Sequence, residues 1–298
     1  MAQAPPPPPP PPAGSGGGMG DTLPPRSLGD VLSGAWNVLI KNAAQLLLIV
    51  AIIVIPLSFI NALLRGVVFA PTTTTQTIFG QQVTETHIST GALWAGLIIA
   101  PLIGILISAL LQAALLRGAA LGTLGETVDV EASYKWGFRR IGSVILISLL
   151  EVLIIAAGAI VGILLIFAVP ALAFIWALAI LAYVLFMWTM LAVAIPALVI
   201  ENRRGTDALG RSWNLVKNHF WHTLGILVVT AIIVGIVAGI IGAIGGYNWI
   251  IGWITSSIGQ ILTAPFSALV SVILYLDLRA RTESLTSSGL RAELAADA

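Results

Sequence analysis

The sequence predicts an all-α, polytopic membrane protein with six transmembrane helices, and its composition and residue pattern are the two reasons. Hydrophobic residues make up 58% of the 298 residues and charged residues only 9%, whereas about 25% of a soluble domain is charged. The apolar residues form long continuous runs, which predict membrane-spanning helices rather than the alternating strands of a β-barrel. The mean hydropathy of +1.00 agrees with both observations.

Net charge and cysteine content exclude several other classes. The formal net charge of +1 gives no support for nucleic-acid binding. The chain has no cysteine, which excludes disulfides, thiolate metal sites and a cysteine nucleophile. We therefore expect membrane lipids, and not nucleic acid, as partners.

Six apolar runs are each long enough to cross a hydrocarbon core of about 30 Å, which needs roughly 20 helical residues. Prolines inside four of them predict kinked helices, at Pro56, Pro101, Pro196 and Pro265. The six predicted spans cover about residues 43–64, 92–116, 141–167, 172–200, 223–244 and 254–278. They form one membrane domain over residues 26–281, flanked by cytoplasmic tails at residues 1–25 and 282–298.

The basic residues predict the orientation of these spans. Thirteen of the fourteen Lys and Arg residues lie before span 1, after span 6, or in the connections that follow spans 2 and 4. Only Arg65 falls on the other side. Because basic residues concentrate in cytoplasmic loops, we expect a multi-pass protein of the cell membrane with both termini in the cytoplasm.

Two segments outside the spans have patterns of their own. The stretch TTTTQTIFGQQVTET, residues 72–86, alternates around Gly80 and predicts a small β-hairpin outside the membrane. The eight prolines from Pro5 to Pro12 lie in a Pro/Gly-rich stretch that predicts a disordered tail with an extended polyproline segment. Such a segment is either a plain disordered tail or a ligand for a proline-reading module.

An internal repeat organises the chain. Residues 30–42 read DVLSGAWNVLIKN and residues 207–218 read DALGRSWNLVKN, each just before a long apolar run. A weaker copy precedes span 3, with Tyr134 and Trp136 followed by a basic pair. The sequence therefore predicts three transmembrane hairpins, each preceded by a short cytoplasmic helix in the plane of the interface, which we call an elbow helix.

The elbow helices have the residue pattern of interfacial helices. An apolar face with a tryptophan opposes a polar, basic face, with Leu32, Trp36 and Leu39 in the first copy and Leu209, Trp213, Val216 and Phe220 in the third. Ser27 and Asp30 form a predicted capping box at the start of the first copy. Basic residues here attract anionic lipids, and the candidate headgroup contacts are Arg203, Arg204, Arg211, Lys217 and Arg279.

Small residues at helical spacing predict where the spans pack closely. Span 3 carries Gly158 and Gly162. Span 5 carries Gly235, Gly239, Gly242 and Gly246, and span 2 carries Gly96, Ala100, Gly104 and Ser108. We interpret these stripes as helix-packing surfaces, with a substrate path as the alternative.

Three stretches together resemble a known membrane family. They are IPALVIENRRGTDALGRSW at residues 195–213, WNLVKNHFWHTLGI at 213–226 and APFSALVSVILYLDLRAR at 264–281. Their combination and order are similar to the membrane domain associated with glycerophosphoryl diester phosphodiesterases, over about residues 26–283. The catalytic barrel of those enzymes has no counterpart positions here. The resemblance therefore implies a stand-alone membrane module without phosphodiesterase activity.

Glu151 is the most informative single residue. It lies ten residues into span 3, which is about 15 Å along a helix with a rise of 1.5 Å per residue. A carboxylate near the middle of a bilayer is costly unless it is neutral, paired or in contact with water, and such residues often mark function. Either Glu151 lines a polar cavity, with Gln112 of span 2 as its partner, or it has a packing role.

The other polar candidates have simpler interpretations. His219 and His222 are spaced to share a metal ion, but a third ligand is not evident, and an interfacial role for both rings is the preferred interpretation. The charges at the helix ends form either an anchoring ion-pair cluster or part of a headgroup pocket; they are Glu201, Asp277, Arg279 and Arg281. No phosphate-binding loop, Ser-His-Asp set or H-E-x-x-H motif is present, so no catalytic, metal or cofactor site is predicted.

Three functions follow as hypotheses. The preferred one is a non-enzymatic, lipid-associated module of the cell envelope, motivated by the elbow helices and basic clusters. The second is a transporter or lipid-translocating channel with Glu151 in a polar cavity. An intramembrane enzyme acting on lipids ranks last, because no catalytic constellation is visible.

Overall fold

A computed structural model describes residues 24–63, 72–78, 81–87, 100–244, 249–283 and 286–296. Its helices are α1 (Leu28–Lys41), α2 (Ala43–Leu63), α3 (Ala100–Thr123), α4 (Val130–Ala168), α5 (Ala173–Leu191), α6 (Ala194–Glu201), α7 (Thr206–Val216), α8 (Phe220–Ile244), α9 (Trp249–Thr282) and α10 (Ser287–Ala296), with a 3₁₀ turn at Pro170–Leu172. Strands β1 (Thr72–Ile78) and β2 (Gln81–His87) complete the described residues. The proline tract from Pro5 to Pro12 lies outside them.

Five helical segments are long and apolar enough to cross a membrane, within the part of the chain that the structure describes. They are Ala43–Ile60, Val130–Ala168, Pro170–Glu201, Phe220–Ile244 and Ile250–Thr282, and they correspond to predicted spans 1, 3, 4, 5 and 6. The prediction of a helical, multi-pass membrane protein is therefore confirmed. Residues 92–99 of predicted span 2 lie outside the described residues, and the rest of that span lies in α3.

Helix α9 is the centre of the bundle, since it packs against α1, α2, α3 and α8. Its second half is buried accordingly: Leu269, Leu274 and Leu278 have no exposed surface. The outer helices instead expose large apolar side chains, such as Leu164 on α4 at 61% and Ile240 on α8 at 64%. An apolar outer surface of this kind is expected where lipid replaces water as the solvent.

Helix α1 begins with the predicted capping box. The Ser27 amide donates to Asp30 Oδ2 at 3.0 Å, and the Asp30 amide donates to Ser27 Oγ at 3.3 Å. The buried side of α1 is formed by Val31 and Ala35. Trp36, predicted on the same apolar face as Leu32 and Leu39, is 56% exposed, so α1 has one apolar side for the bundle and another that faces away from it.

Helix α7 contains most of the second strong copy of the repeat and comes directly before α8. Leu209 and Val216 are buried as the predicted apolar face requires, while Trp213 is 39% exposed. The Trp213 ring contacts Phe186 of α5 edge-on, at 5.8 Å between centroids. The two strong copies of the repeat thus each form a separate short helix.

The predicted separate elbow helix before span 3 is wrong. Helix α4 runs without a break from Val130 to Ala168, 39 residues, with Asp129 accepting a hydrogen bond from the Ala132 amide at 3.1 Å as its cap. No proline interrupts this stretch, and Gly137 brings its backbone close to Ala114 of α3, where an added Cβ would lie 3.1 Å from the Ala114 amide nitrogen. Trp136 is consequently buried at 3% exposure instead of lying at an interface.

The predicted kink at Pro196 is present as a break between α5 and α6. It falls at Ala192 and Val193, one turn before the proline, where the pyrrolidine ring displaces the carbonyl of residue i−4. Ser212 of α7 binds the backbone on both sides of the break: its hydroxyl donates to the Met190 carbonyl at 2.7 Å and accepts from the Val193 amide at 3.3 Å. A serine side chain thus satisfies backbone groups that a kinked membrane helix leaves open.

The predicted glycine packing surfaces have mixed outcomes. Gly158 and Gly162 of α4 are confirmed, since an added Cβ would lie 2.1 Å from the Tyr183 ring and 2.3 Å from Ile180 of α5. The prediction of a packing surface within this chain is wrong for Gly235, Gly239 and Gly242. Apart from the backbone of α8 itself, no heavy atom of the described residues comes within 4 Å of a Cβ built there. Gly104 of α3 is equally open. Helix α8 contacts α9 by another face, with Ile241 near Gly259.

The predicted β-hairpin around Gly80 is confirmed. Strands β1 and β2 pair antiparallel, with Thr72 opposite His87 and Thr75 opposite Thr84. This register places Ile78 opposite Gln81; residues 79 and 80 lie outside the described residues.

Candidate functional site

A cavity of about 470 Å³ lies between α3, α4, α9 and the break that separates α5 from α6. Gln112 and Glu151, the two residues predicted to share an intramembrane polar site, both line it. Ser267 and Ser271 line it from α9, and Trp188 lines it from α5. The structure therefore places the predicted pair on one cavity and adds three residues that sequence reasoning did not identify.

Local sequence explains why a cavity forms at this place. Ala192 and Pro196, at the break between α5 and α6, form part of the wall, so the kink removes one turn of helix packing there. On α9 the facing wall carries Ala264 and Ala268, which lie one turn apart on one side of the helix and leave room. Small side chains opposite a helix break create the space.

The cavity is mostly apolar, with few polar groups. Glu151 supplies a carboxylate and, among the described residues, no hydrogen bond or ion pair reaches it. Ser267 donates its hydroxyl to the Thr263 carbonyl at 3.1 Å, which leaves its oxygen able to accept. Glu151 and Trp188 both line the cavity; a carboxylate attracts cations by its charge, and the face of a tryptophan ring attracts them as well. The volume falls within the range of about 300–1,000 Å³ that is typical of small-molecule pockets.

A second polar site lies at the end of α9, and we call it the arginine–glutamate cluster: Glu201, Arg211, Arg279, Glu283 and Glu293. Glu201 Oε1 lies 2.6 Å from Arg211 Nη2 and 3.1 Å from Arg279 Nε. The buried Tyr275 hydroxyl also donates to Glu201. One carboxylate at the end of α6 therefore joins α6, α7 and α9.

The two other carboxylates of the cluster make paired contacts with the arginines. Arg211 binds both oxygens of Glu283, with Nη2 at 2.7 Å from Oε2. Arg279 binds both oxygens of Glu293 of α10, at 2.7 and 3.0 Å. The hydrogen bond between Arg211 and Glu283 raises the pKa of the Arg211 guanidinium and lowers the pKa of the Glu283 carboxyl, so both groups are charged at neutral pH.

These pairs involve two of the five candidate headgroup contacts. Arg211 and Arg279 are paired with carboxylates in this structure, and their role as headgroup contacts stays a prediction. Arg279 and Glu201, two of the four charges predicted at the helix ends, form an ion pair. The remaining three are more open: Arg203 contacts Glu201 at 3.2 Å, Arg204 contacts Asn202 at 3.5 Å and Lys217 contacts Asn214 at 3.0 Å.

Asp277 forms the third polar node. Its buried carboxylate accepts from the Arg26 amide at 2.6 Å and from Arg281 Nε at 2.9 Å, and it lies 3.0 Å from His222 Nε2. Asp277 and Arg281, the other two charges predicted at the helix ends, therefore form an ion pair, and Asp277 also binds the segment that enters α1. His222 has a structural partner.

The metal interpretation of the histidine pair finds no third ligand. Within the described residues, no group of three or more His, Cys, Asp or Glu side chains is arranged to hold a metal ion. The Nδ1 atom of His219 is buried and has no hydrogen-bond partner there. The two histidines therefore have different surroundings: His222 contacts Asp277, whereas His219 Nδ1 is buried without a partner among the described residues.

No protein-family model, curated protein or solved structure matches this chain. The resemblance to the membrane domain of glycerophosphoryl diester phosphodiesterases stays a prediction from sequence motifs.

Proposed function

We propose that this protein binds an amphiphilic organic cation within the bilayer, in the manner of a transporter or lipid-translocating channel, with Glu151 as the counter-ion. The observation that carries this proposal is the cavity of about 470 Å³ that Glu151 and Gln112 line from neighbouring helices. A carboxylate inside a membrane span is expensive. A cationic ligand would offset that cost, and the apolar walls would take its hydrocarbon part.

The topology that we propose around this cavity is the six-span bundle of the sequence prediction. Its three hairpins place both termini in the cytoplasm of a cell-membrane protein, with α1 and α7 as elbow helices in the interface. The exposed tryptophans of these helices support an interfacial position, since Trp36 of α1 is 56% and Trp213 of α7 39% exposed and tryptophan favours the membrane boundary. In this topology the cavity lies between the interfaces.

A second candidate function is a non-enzymatic, lipid-associated module. It is favoured by Arg204 and Lys217, which contact only uncharged side chains among the described residues. Such a module would use these two basic residues for anionic headgroups. The family resemblance, the lack of enzyme activity and the capture of Pro5–Pro12 by a proline-reading module remain proposals of the same kind.

The proposed function is tested with two probes of matched shape and opposite charge. We expect the purified protein in phosphatidylcholine nanodiscs to bind the cation tetraphenylphosphonium, above empty nanodiscs, in equilibrium dialysis. Glu151→Gln keeps the side-chain volume and removes the charge, so we expect its affinity to fall about tenfold, equivalent to about 1.4 kcal/mol.

The control variant is Glu131→Gln, which removes an exposed carboxylate on the same helix and should leave binding unchanged. Tetraphenylborate, the anion of the same shape, should not bind above background. Equal affinity of the wild-type protein and Glu151→Gln for tetraphenylphosphonium, or binding of tetraphenylborate at the same affinity, would reject the proposed function.

A further inference from the structure

The arginine–glutamate cluster lines a cleft of about 450 Å³ with an unequal distribution of charge between its floor and its cover. The floor is formed by Arg279 and Arg211, whose side chains are 8% and 16% exposed. The cover is formed by Glu283 and Glu293, which are 34% and 36% exposed. The acidic groups thus lie above the arginines, on the side open to solvent.

The charges of the cleft separate into a fixed part and a removable part. Arg203, Arg211 and Arg279 line it together with Glu201, and Glu201 is 7% exposed and also held by Tyr275. Three positive charges and one fixed negative charge leave an excess of two positive charges. Glu283 and Glu293, from the segment after α9, balance that excess.

We propose that Arg203, Arg211 and Arg279 form a binding site for a phosphate monoester, and that Glu283 and Glu293 occupy this site as internal competitors. A phosphate monoester carries a charge of about −1.5 to −2 at pH 7, so it replaces the two carboxylates charge for charge. The guanidinium groups of Arg211 and Arg279 already make two-pronged contacts with carboxylates. The same donor geometry fits two oxygens of a phosphate.

The site is independent of the Glu151 cavity and shares no residue with it. It lies where α6 and α9, both parts of candidate spans, end. Its ligand is therefore either a lipid whose headgroup is a phosphate monoester or a soluble phosphate monoester. Both present the same dianionic group, and only a binding experiment with each distinguishes them.

The test compares the wild-type protein with Glu283→Gln/Glu293→Gln in phosphatidylcholine nanodiscs. The soluble probe is glycerol 3-phosphate, measured by calorimetry, and the lipid probe is phosphatidic acid, measured by its retention in native mass spectrometry. We expect the double variant to bind the monoester about tenfold more tightly than the wild-type protein, because two competing carboxylates are gone. Tighter binding of both probes by the double variant shows that the phosphate group alone is enough, so that a soluble monoester also binds. Tighter binding of phosphatidic acid alone identifies the lipid as the ligand.

Three further measurements make the result specific. Adding Arg203→Gln, an exposed position, to the double variant should reverse a large part of the gain without affecting the core. Glu126→Gln/Glu131→Gln removes two exposed carboxylates elsewhere and should bind like the wild-type protein. Equal affinity of the wild-type protein and Glu283→Gln/Glu293→Gln for both probes overturns the proposal, and so does retention of phosphatidylglycerol, a phosphodiester, as strong as that of phosphatidic acid.

Discussion

Glu201→Ala is expected to lower the free energy of unfolding by about 3 kcal/mol, because it removes one member of a buried group of charges. The Glu201 side chain is 7% exposed and contacts both Arg211 and Arg279. Without it, Arg279 keeps a positive charge at 8% exposure with less compensation, and the buried Tyr275 hydroxyl loses its acceptor. Thermal unfolding in detergent micelles, followed by circular dichroism, measures the change as a lower Tm.

The matched control is Glu131→Ala, which also deletes a carboxylate in an ion pair. Glu131 lies 2.6 Å from Lys135, but both side chains are largely exposed, at 77% and 69%. Water and salt screen such exposed pairs, so they contribute little to stability, and Tm should hardly move. A Tm loss for Glu201→Ala no greater than that of Glu131→Ala would show that the cluster does not hold α6, α7 and α9 together.

Gly158→Ala is expected to destabilise the contact between α4 and α5 by about 3 kcal/mol, at the upper end of the cost of overpacking. The added Cβ would lie 2.1 Å from the Tyr183 ring, so the ring must move. Tyr183 also donates its hydroxyl to the Ile154 carbonyl at 2.7 Å, and that hydrogen bond would break when the ring moves. The same thermal unfolding assay measures the effect.

Gly235→Ala provides the control in another membrane helix. A Cβ at Gly235 meets no heavy atom of the described residues within 4 Å, and alanine is the better helix former. We expect an unchanged or slightly higher Tm for this variant. If Gly158→Ala lowers Tm no more than Gly235→Ala does, α4 and α5 do not pack closely at Gly158.

The comparison of these two glycines shows how far sequence reasoning extends. Both belong to stripes of small residues, and the stripes alone predict close packing at each. The structure places an aromatic ring over Gly158 and, within the part of the chain that it describes, no neighbouring group over Gly235. Spacing identifies a helix face, but the partner helix decides which face is used, and that choice depends on contacts far apart in the chain.

The long apolar runs predicted five of the spans directly, because length and hydropathy are properties of the local sequence. The break near Pro196 was likewise predictable from one residue. The continuous helix at the predicted elbow before span 3 was not: acidic, aromatic and basic residues between 131 and 140 resemble the other copies, yet the segment packs on α3 through Gly137 and continues into the span. A tertiary contact outweighed the repeat pattern.

Only some of the residues that line the Glu151 cavity were predictable from the sequence. Glu151 and Gln112 stand out as polar residues in apolar runs, and both line the cavity. Ser267 and Ser271 do not stand out, because hydroxyl side chains in helices commonly bond to their own backbone. In the arginine–glutamate cluster, Glu283 follows Arg279 by one helical turn, a spacing that indicates an ion pair. Glu293 gives no such signal, since α10 must fold back to reach Arg279.

The most direct test of the central claim is whether an aqueous reagent reaches the position of Glu151. The chain has no cysteine, so Glu151→Cys carries a single thiol that a membrane-impermeant maleimide can label in intact vesicles. Leu164→Cys, an exposed apolar position on the same helix, serves as the lipid-facing control and should remain unlabelled. We predict labelling of Glu151→Cys from one side of the membrane and protection by tetraphenylphosphonium; no labelling from either side would contradict a polar binding cavity at Glu151.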